Sequence, residues 1–229
     1  TSALFNEKLE RKLRFEYPTT NFGNISFEID NEGKPYYIVT TLDYTAIGLK
    51  AKVSGVIIFD PVTGESKKYS KEEIPTCVDI AYSASLVIEQ IDNWGMYKNG
   101  FWNTIFAKQE VFELSEGYNY FIKDGNTYYV SCITSPNLND QTSIGFLIIN
   151  LKTKEAIRYS CPGITEMRAR EIAMYDERVK AQALEATWPI LVSYHGVPTY
   201  FVVLKNDVQS QKIVFINVDT GALVGMGTD

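Results

Sequence analysis

Apolar and polar positions alternate along this chain in two periods, and the change from one to the other marks out its elements. From Ser2 to Glu16, Phe5, Leu9 and Leu13 fall on one stripe with Glu7, Lys8, Arg11 and Lys12 opposite, which predicts an amphipathic helix closed by Tyr17-Pro18. Short β-branched and aromatic runs then predict strands near Ile25 to Ile29, Pro35 to Thr41, Val53 to Phe59 and Glu65 to Tyr69. A second helix is expected from Ala84 to Tyr97, capped by Ser83, with Val87, Ile91 and Trp94 on one face; a short helix from Phe101 to Phe106 follows. Further strands are expected near Tyr118 to Lys123, Thr127 to Thr134, Ile144 to Asn150 and Glu155 to Tyr159. A third helix, capped by Thr165, is expected to run to about Glu185. The last strands are expected at Trp188 to Tyr194, Val197 to Lys205, Lys212 to Asn217 and Ala222 to Met226.

One stretch recurs. Val53 to Ser70 reads as a buried strand ending in Phe59, a turn built on Asp60, Pro61 and Gly64, and a polar returning strand. Ser143 to Ser160 matches it without a gap, placing Asn150, Thr153 and Glu155 where Asp60, Thr63 and Glu65 stand. Ser210 to Gly225 places Asn217, Thr220 and Gly221 at the same turn. A second hairpin precedes each copy, at Gly33 to Val39, Gly125 to Ser131 and Gly196 to Val202. If the turns are equivalent, Lys154 must adopt φ > 0, at a strain of roughly 1 kcal/mol that Gly64 and Gly221 avoid.

Composition limits the partners. At 229 residues, 45% hydrophobic and 22% charged, the chain can bury a full core. The net charge is -6, and its lysines and arginines are scattered, so nothing offers the concentrated basic face that nucleic acid or an anionic membrane surface requires. No apolar run approaches the roughly 20 residues of a membrane span. The chain starts at Thr1 without an initiator methionine, so a membrane anchor or signal upstream is an expectation, with a cytoplasmic location as the alternative. Cys77, Cys132 and Cys161 are too few and too irregularly spaced for a disulfide scaffold or zinc site. Three unpaired thiols are expected, with Cys132 to Cys161 the one bridge to consider.

A leading helix, a hairpin reading Gly-x-Pro-x-Tyr-x-Val and a closing hairpin reading Asp-x-x-Thr-Gly-Glu together resemble the PepSY module. The resemblance covers nearly the whole chain as three tandem units. It rests on Gly33, Pro35, Tyr37, Asp60, Thr63, Gly64 and Glu65, then on Gly125, Tyr129, Asn150, Thr153 and Glu155, then on Gly196, Pro198, Tyr200, Asn217, Thr220 and Gly221. The string is also similar to ectodomains of uncharacterised membrane-anchored proteins of Gram-positive bacteria. The fold class this implies is α+β, PepSY/cystatin-like, each unit a helix followed by antiparallel hairpins, with the helices on one sheet face. The units would span 1–71, 72–160 and 161–229. The implied role is a non-catalytic protein-binding or regulatory module of the cell envelope, extracytoplasmic and without cofactor or metal.

Several residues are candidates for chemistry. Trp94, Tyr97, Phe101, Trp102 and Phe106 form the densest aromatic cluster, either a partner-binding ridge or the packing face over the sheets. His195 is the single histidine, so an enzyme reading, a hydrolase with a cleft between units, centres on it or on Cys77 as nucleophile. His195 shares its turn position with Glu32 and Asp124, which predicts a solvent-facing turn residue. Glu28 with Asp30 lies on one face of an ordinary half-buried strand, and Glu72 with Glu73 adds no motif. Asp60 and Asp219 lack the alternating oxygen ligands of a calcium loop. A third reading is a scaffold whose exposed sheet edges pair with further copies of the chain.

Overall fold

The computed structural model describes residues 8–30, 32–45, 50–97, 112–135, 142–175, 179, 183–206 and 212–228, with 92–97 and 228 described by backbone alone. These fall into two compact units. The first comprises the described residues of Thr1–Leu86 with Asp124–Thr127 and Leu151–Lys154; the second comprises those of Val87–Lys123, Tyr128–Asn150 and Glu155–Asp229.

In the first unit, α1 (Leu9–Glu16) precedes an antiparallel sheet of β1 (Asn21–Ile29), β2 (Pro35–Tyr44), β3 (Ala51–Phe59) and β4 (Ser66–Ser70), in that spatial order. Register aligns Phe27 with Tyr37, Tyr37 with Phe59, and Phe59 with Ser66. The two-residue period therefore turns Val39, Ile57 and Phe59 to one face, where Leu13 of α1, fully buried, packs against them. Eight residues are too few for a helix to persist alone, so α1 owes its place to this contact. The opposite face is crossed by the chain after a 3-10 turn at Lys71–Glu73. There Thr40 Oγ1 donates to Ala81 O (3.1 Å), while the Glu28 carboxylate accepts the N–H groups of Asp79 (2.8 Å) and Ile80 (3.2 Å). Desolvation raises the Glu28 carboxyl above the usual range, although those N–H groups pull it down.

Helix α2 (Ala84–Tyr97) starts where Ser83 Oγ accepts the Leu86 N–H (3.4 Å). The second sheet runs β5 (Glu113–Leu114), β7 (Asn126–Thr134), β8 (Thr142–Asn150), β9 (Ala156–Ile164), with β6 (Asn119–Lys123) also pairing β7. After α3 (Glu166–Tyr175) the third sheet repeats the layout: β10 (Glu185–Ala186), β12 (Val197–Lys205), β13 (Lys212–Asn217), β14 (Leu223–Thr228), with β11 (Ile190–Tyr194) on β12. The core of the second unit gathers Ala169 and Ala173 of α3, Cys132 and Phe146 of the second sheet, and Tyr200, Val202, Leu204, Val214 and Ile216 of the third.

These observations correct the α+β expectation of three helix-plus-hairpin units. Among the described residues strand accounts for 53% and helix for 17%, in three antiparallel sheets with three α-helices. The expected third helix does not reach Glu185: Ala183 already has φ +49° and Glu185 belongs to β10. The strand expected to stop at Tyr159 runs on to Ile164, because Gly163 and Ile164 pair with Ser143 and Thr142. Local propensity ends a strand at Ser-Cys-Pro-Gly; a partner strand on the ladder overrides it.

The turns match their sequence. Asp60 N–H donates to Glu65 O, Asn150 N–H to Glu155 O and Asn217 N–H to Ala222 O, each at 2.9 Å. Gly64 (φ +76°), Lys154 (φ +66°) and Gly221 (φ +69°) all occupy the left-handed region. Lys154 therefore carries the expected strain. Replacing it with glycine should raise stability by about 0.5–1 kcal/mol. Urea denaturation measures this, and an unchanged or lower midpoint would mean that the contacts of its side chain, including the approach of Nζ to the Tyr82 ring (5.9 Å), outweigh the strain.

All three cysteines are free. Cys132 lies on β7 and Cys161 on β9, with β8 between them. Cys132 lines up through Phe146 with Tyr159, two residues before Cys161, so two ladder steps alone set the Cα atoms at least about 9.5 Å apart, beyond the roughly 7 Å a disulfide spans.

Candidate functional site

Strand alternation leaves a row of apolar side chains in solvent on each of two hairpins. On β1, Phe27 is 55% and Ile29 61% exposed, and Phe27 meets Tyr37 edge-on (5.3 Å). On and before β6, Tyr118, Tyr120 and Ile122 are 40%, 49% and 77% exposed. Tyr118 there meets Tyr120 edge-on (5.2 Å) and the fully buried Tyr129 at a tilt (5.1 Å). Desolvation, with Tyr118 adding to it, pushes the Tyr120 phenol up to about 12. β1 is an outer strand of its sheet, and no other described strand pairs with its free edge. Its Glu28 is turned to the Asp79 and Ile80 amides, so no free charge on the apolar end of β1 guards that edge.

A shallow groove of about 630 Å³ lies beside the β3–β4 turn, floored by Ile58 and flanked by Tyr36, Tyr69 and Lys67, with Asp60 and Glu65 at its rim. The Lys67 ammonium sits 5.0 Å from the Tyr69 ring. The Asp60 oxygens are not free to bind a ligand strongly: Oδ1 already accepts the N–H groups of Val62 (2.7 Å) and Thr63 (3.1 Å). Those bonds, Thr63 first, hold its carboxyl below the usual range. Asn217 uses its side chain in the same way toward Thr220 N–H (2.9 Å).

A third cluster is buried. The second sheet's ladder breaks between β5 and β6, and there the Cys132 N–H donates to Glu166 Oε1 from the first residue of α3 (2.9 Å). The third sheet breaks at the same place, between β10 and β11, and fills its gap with a hydroxyl: the Val203 N–H donates to Thr187 Oγ1 (3.2 Å). Around Glu166 stand the Cys132 thiol, Ser115 and Tyr200, whose hydroxyl donates to Ile164 O (3.0 Å). Burial raises the Glu166 carboxyl, the Cys132 thiol and the Tyr200 phenol. A thiol raised in this way is not a nucleophile. Nothing in the sequence marked Glu166, which reads as an ordinary acidic residue in a first helical turn.

His195 occupies a tight turn at φ +50°, exposed, its ring edge-on to Tyr194 (4.5 Å), as its position beside Gly196 implied. It belongs to the second unit, whereas the exposed Cys77 belongs to the first. Of the aromatic cluster, the backbone of Trp94 and Tyr97 lies on α2, but their side chains and all of Phe101, Trp102 and Phe106 fall outside the described residues. Among the described residues no group of three or more metal-ligating side chains occurs, and no helix is long and apolar enough to cross a membrane.

No family model and no curated protein matches the chain. Among solved structures, a candidate lipoprotein of Clostridium difficile 630 is similar over 96% of this chain and 90% of its own, at 13% identity and a TM-score of 0.25. The YpeB C-terminal domain of Bacillus megaterium covers 100% of this chain and 97% of its own, at 13% identity and a TM-score of 0.23. An ACO/RPE65 chimera covers 91% of this chain and 36% of its own, at 10% identity and a TM-score of 0.20. Likeness at these scores establishes neither a shared fold nor a shared role.

Proposed function

We propose that the chain is a non-catalytic protein-binding or regulatory module of the bacterial cell envelope, with the apolar row on β1 of the first unit and, separately, that on β6 of the second as its contact surfaces. One observation carries this reading. Phe27 and Ile29, and likewise Tyr118, Tyr120 and Ile122, are held in water by rigid antiparallel strands. Apolar groups presented on fixed strands lose little entropy when a partner covers them. No described strand pairs with the outer edge of β1, which leaves an edge that an extended segment can join. The envelope location rests on the sequence's resemblance to PepSY modules.

The test is capture from an envelope extract of the native organism with the whole chain as bait, beside a Phe27→Ser, Ile29→Ser, Ile122→Ser variant. Wild type should retain a defined partner, and the variant should bind it roughly tenfold or more weakly. All three side chains are more than half exposed, so folding stability should stay within about 0.5 kcal/mol per site. A bait that recovers only itself overturns the proposal, and so does a partner that binds the variant equally well.

A further inference from the structure

The geometry points to Glu166 as a proton-operated latch: while neutral it ties the start of α3 to the interrupted ladder of the second sheet, and on ionising it lets that junction open. Glu166 is 3% exposed, with Oε1 bonded to the Cys132 N–H (2.9 Å), the Ser115 hydroxyl beside the carboxyl, and Oε2 buried without a close hydrogen bond among the described residues. The groups that face it are the Cys132 thiol on β7, the Tyr200 phenol on β12, the Ser115 hydroxyl after β5 and, further off, the Cys161 thiol on β9. None of these is a cation. On its own helix, the Arg168 guanidinium is committed to Glu171 (2.8 Å) and that of Arg170 to Ala186 O (3.1 Å). The amides at the helix start offer the anion partial compensation, but desolvation remains the largest influence and favours the neutral acid.

The third sheet shows what the carboxyl adds. Thr187 satisfies the equivalent orphan amide with a hydroxyl that does not titrate. Filling the gap therefore does not require an acid; a glutamic acid in that place makes the junction pH-dependent.

The sign follows from linkage. The folded carboxyl titrates above its ordinary value of 4.5, so its contribution to stability is fully present below pH 4.5 and is lost as pH rises through the folded value. Within that window the closed junction holds one proton more than the open one, so the opening equilibrium rises by about tenfold per pH unit.

The experiment uses the whole chain, with the Glu166 side-chain carboxyl followed by carbon NMR and exchange of the Cys132 amide measured from pH 4 to 8, corrected for intrinsic exchange. Wild type should show a Glu166 midpoint above 4.5 and a Cys132 opening constant that climbs by up to about tenfold per pH unit from about pH 4.5 to that midpoint and levels off above it. Glu166→Gln keeps the acceptor for Cys132 and removes the proton, so its opening constant should be flat. A flat wild-type profile, an ordinary Glu166 midpoint or an undiminished slope in Glu166→Gln would each overturn the latch.

Discussion

Gly145→Ala should destabilise the chain by about 3 kcal/mol, one of the larger losses available to a single methyl group. Gly145 lies in β8 at a ladder irregularity, with φ +156°, and an added Cβ would stand 2.1 Å from Tyr159 O and 3.2 Å from Cys161 N. Both neighbours are backbone, so neither can rotate away. Relief requires β8 and β9 to part, breaking the pairing that carries β9 through to Ile164. Gly55 meets the corresponding obstacle in the first sheet, 2.0 Å from Tyr69 O, and Gly55→Ala should cost a similar amount. Gly225→Ala provides the control, since its Cβ would meet nothing within 4 Å. Denaturant unfolding should show both strand glycines losing midpoint while Gly225→Ala stays within about 0.5 kcal/mol. Equal tolerance at all three would mean that the close strand approach at Gly145 and Gly55 is wrong.

The two clashes also show how far the sequence could be read. Gly55 and Gly145 fall at the same place in the recurring stretch, and so do Tyr69 and Tyr159, so a shared local geometry was legible without coordinates. The same holds for the turns. Asp60, Asn150 and Asn217 each close theirs through their own backbone N–H, and Lys154 takes the conformation of the glycines it replaces. These features are local: a few residues and their own hydrogen bonds decide them. The balance of strand to helix was not legible, because partner strands decide it. β9 passes through Pro162 and Gly163 on the strength of its pairing with β8, and the two-residue strands β5 and β10 exist only as partners of β7 and β12. Glu166 was invisible for the same reason. Its importance comes from an amide orphaned on β7, 34 residues earlier in sequence.

Leu13→Ala should cost about 3 kcal/mol, within the 2–5 kcal/mol typical of a buried leucine truncated to alanine. Leu13 is the fully buried residue of α1, set against Val39, Ile57 and Phe59, with Leu9 and Tyr17 closing around it. Alanine is the best helix former, so a loss cannot be assigned to helix propensity and must reflect packing on the first sheet. Phe15, two residues on, makes the contrast: it is larger and equally apolar but 70% exposed, and Phe15→Ala should change stability by no more than about 0.5 kcal/mol. Limited proteolysis supplies a second reading. With Leu13 truncated, the remaining polar anchors include Tyr17 OH to Ser66 Oγ (3.0 Å), Ser66 Oγ to the Glu16 carboxylate, Arg14 Nη1 to Thr20 O (2.8 Å) and the Lys12 ammonium on Gly64 O, all partly buried or exposed. Such bonds are each worth about 1 kcal/mol, too little to hold eight residues in helix. Cleavage within α1 should therefore quicken before the sheet unfolds. A variant that loses stability only with the whole first unit, and with no earlier cleavage, would show that α1 and its sheet unfold as one.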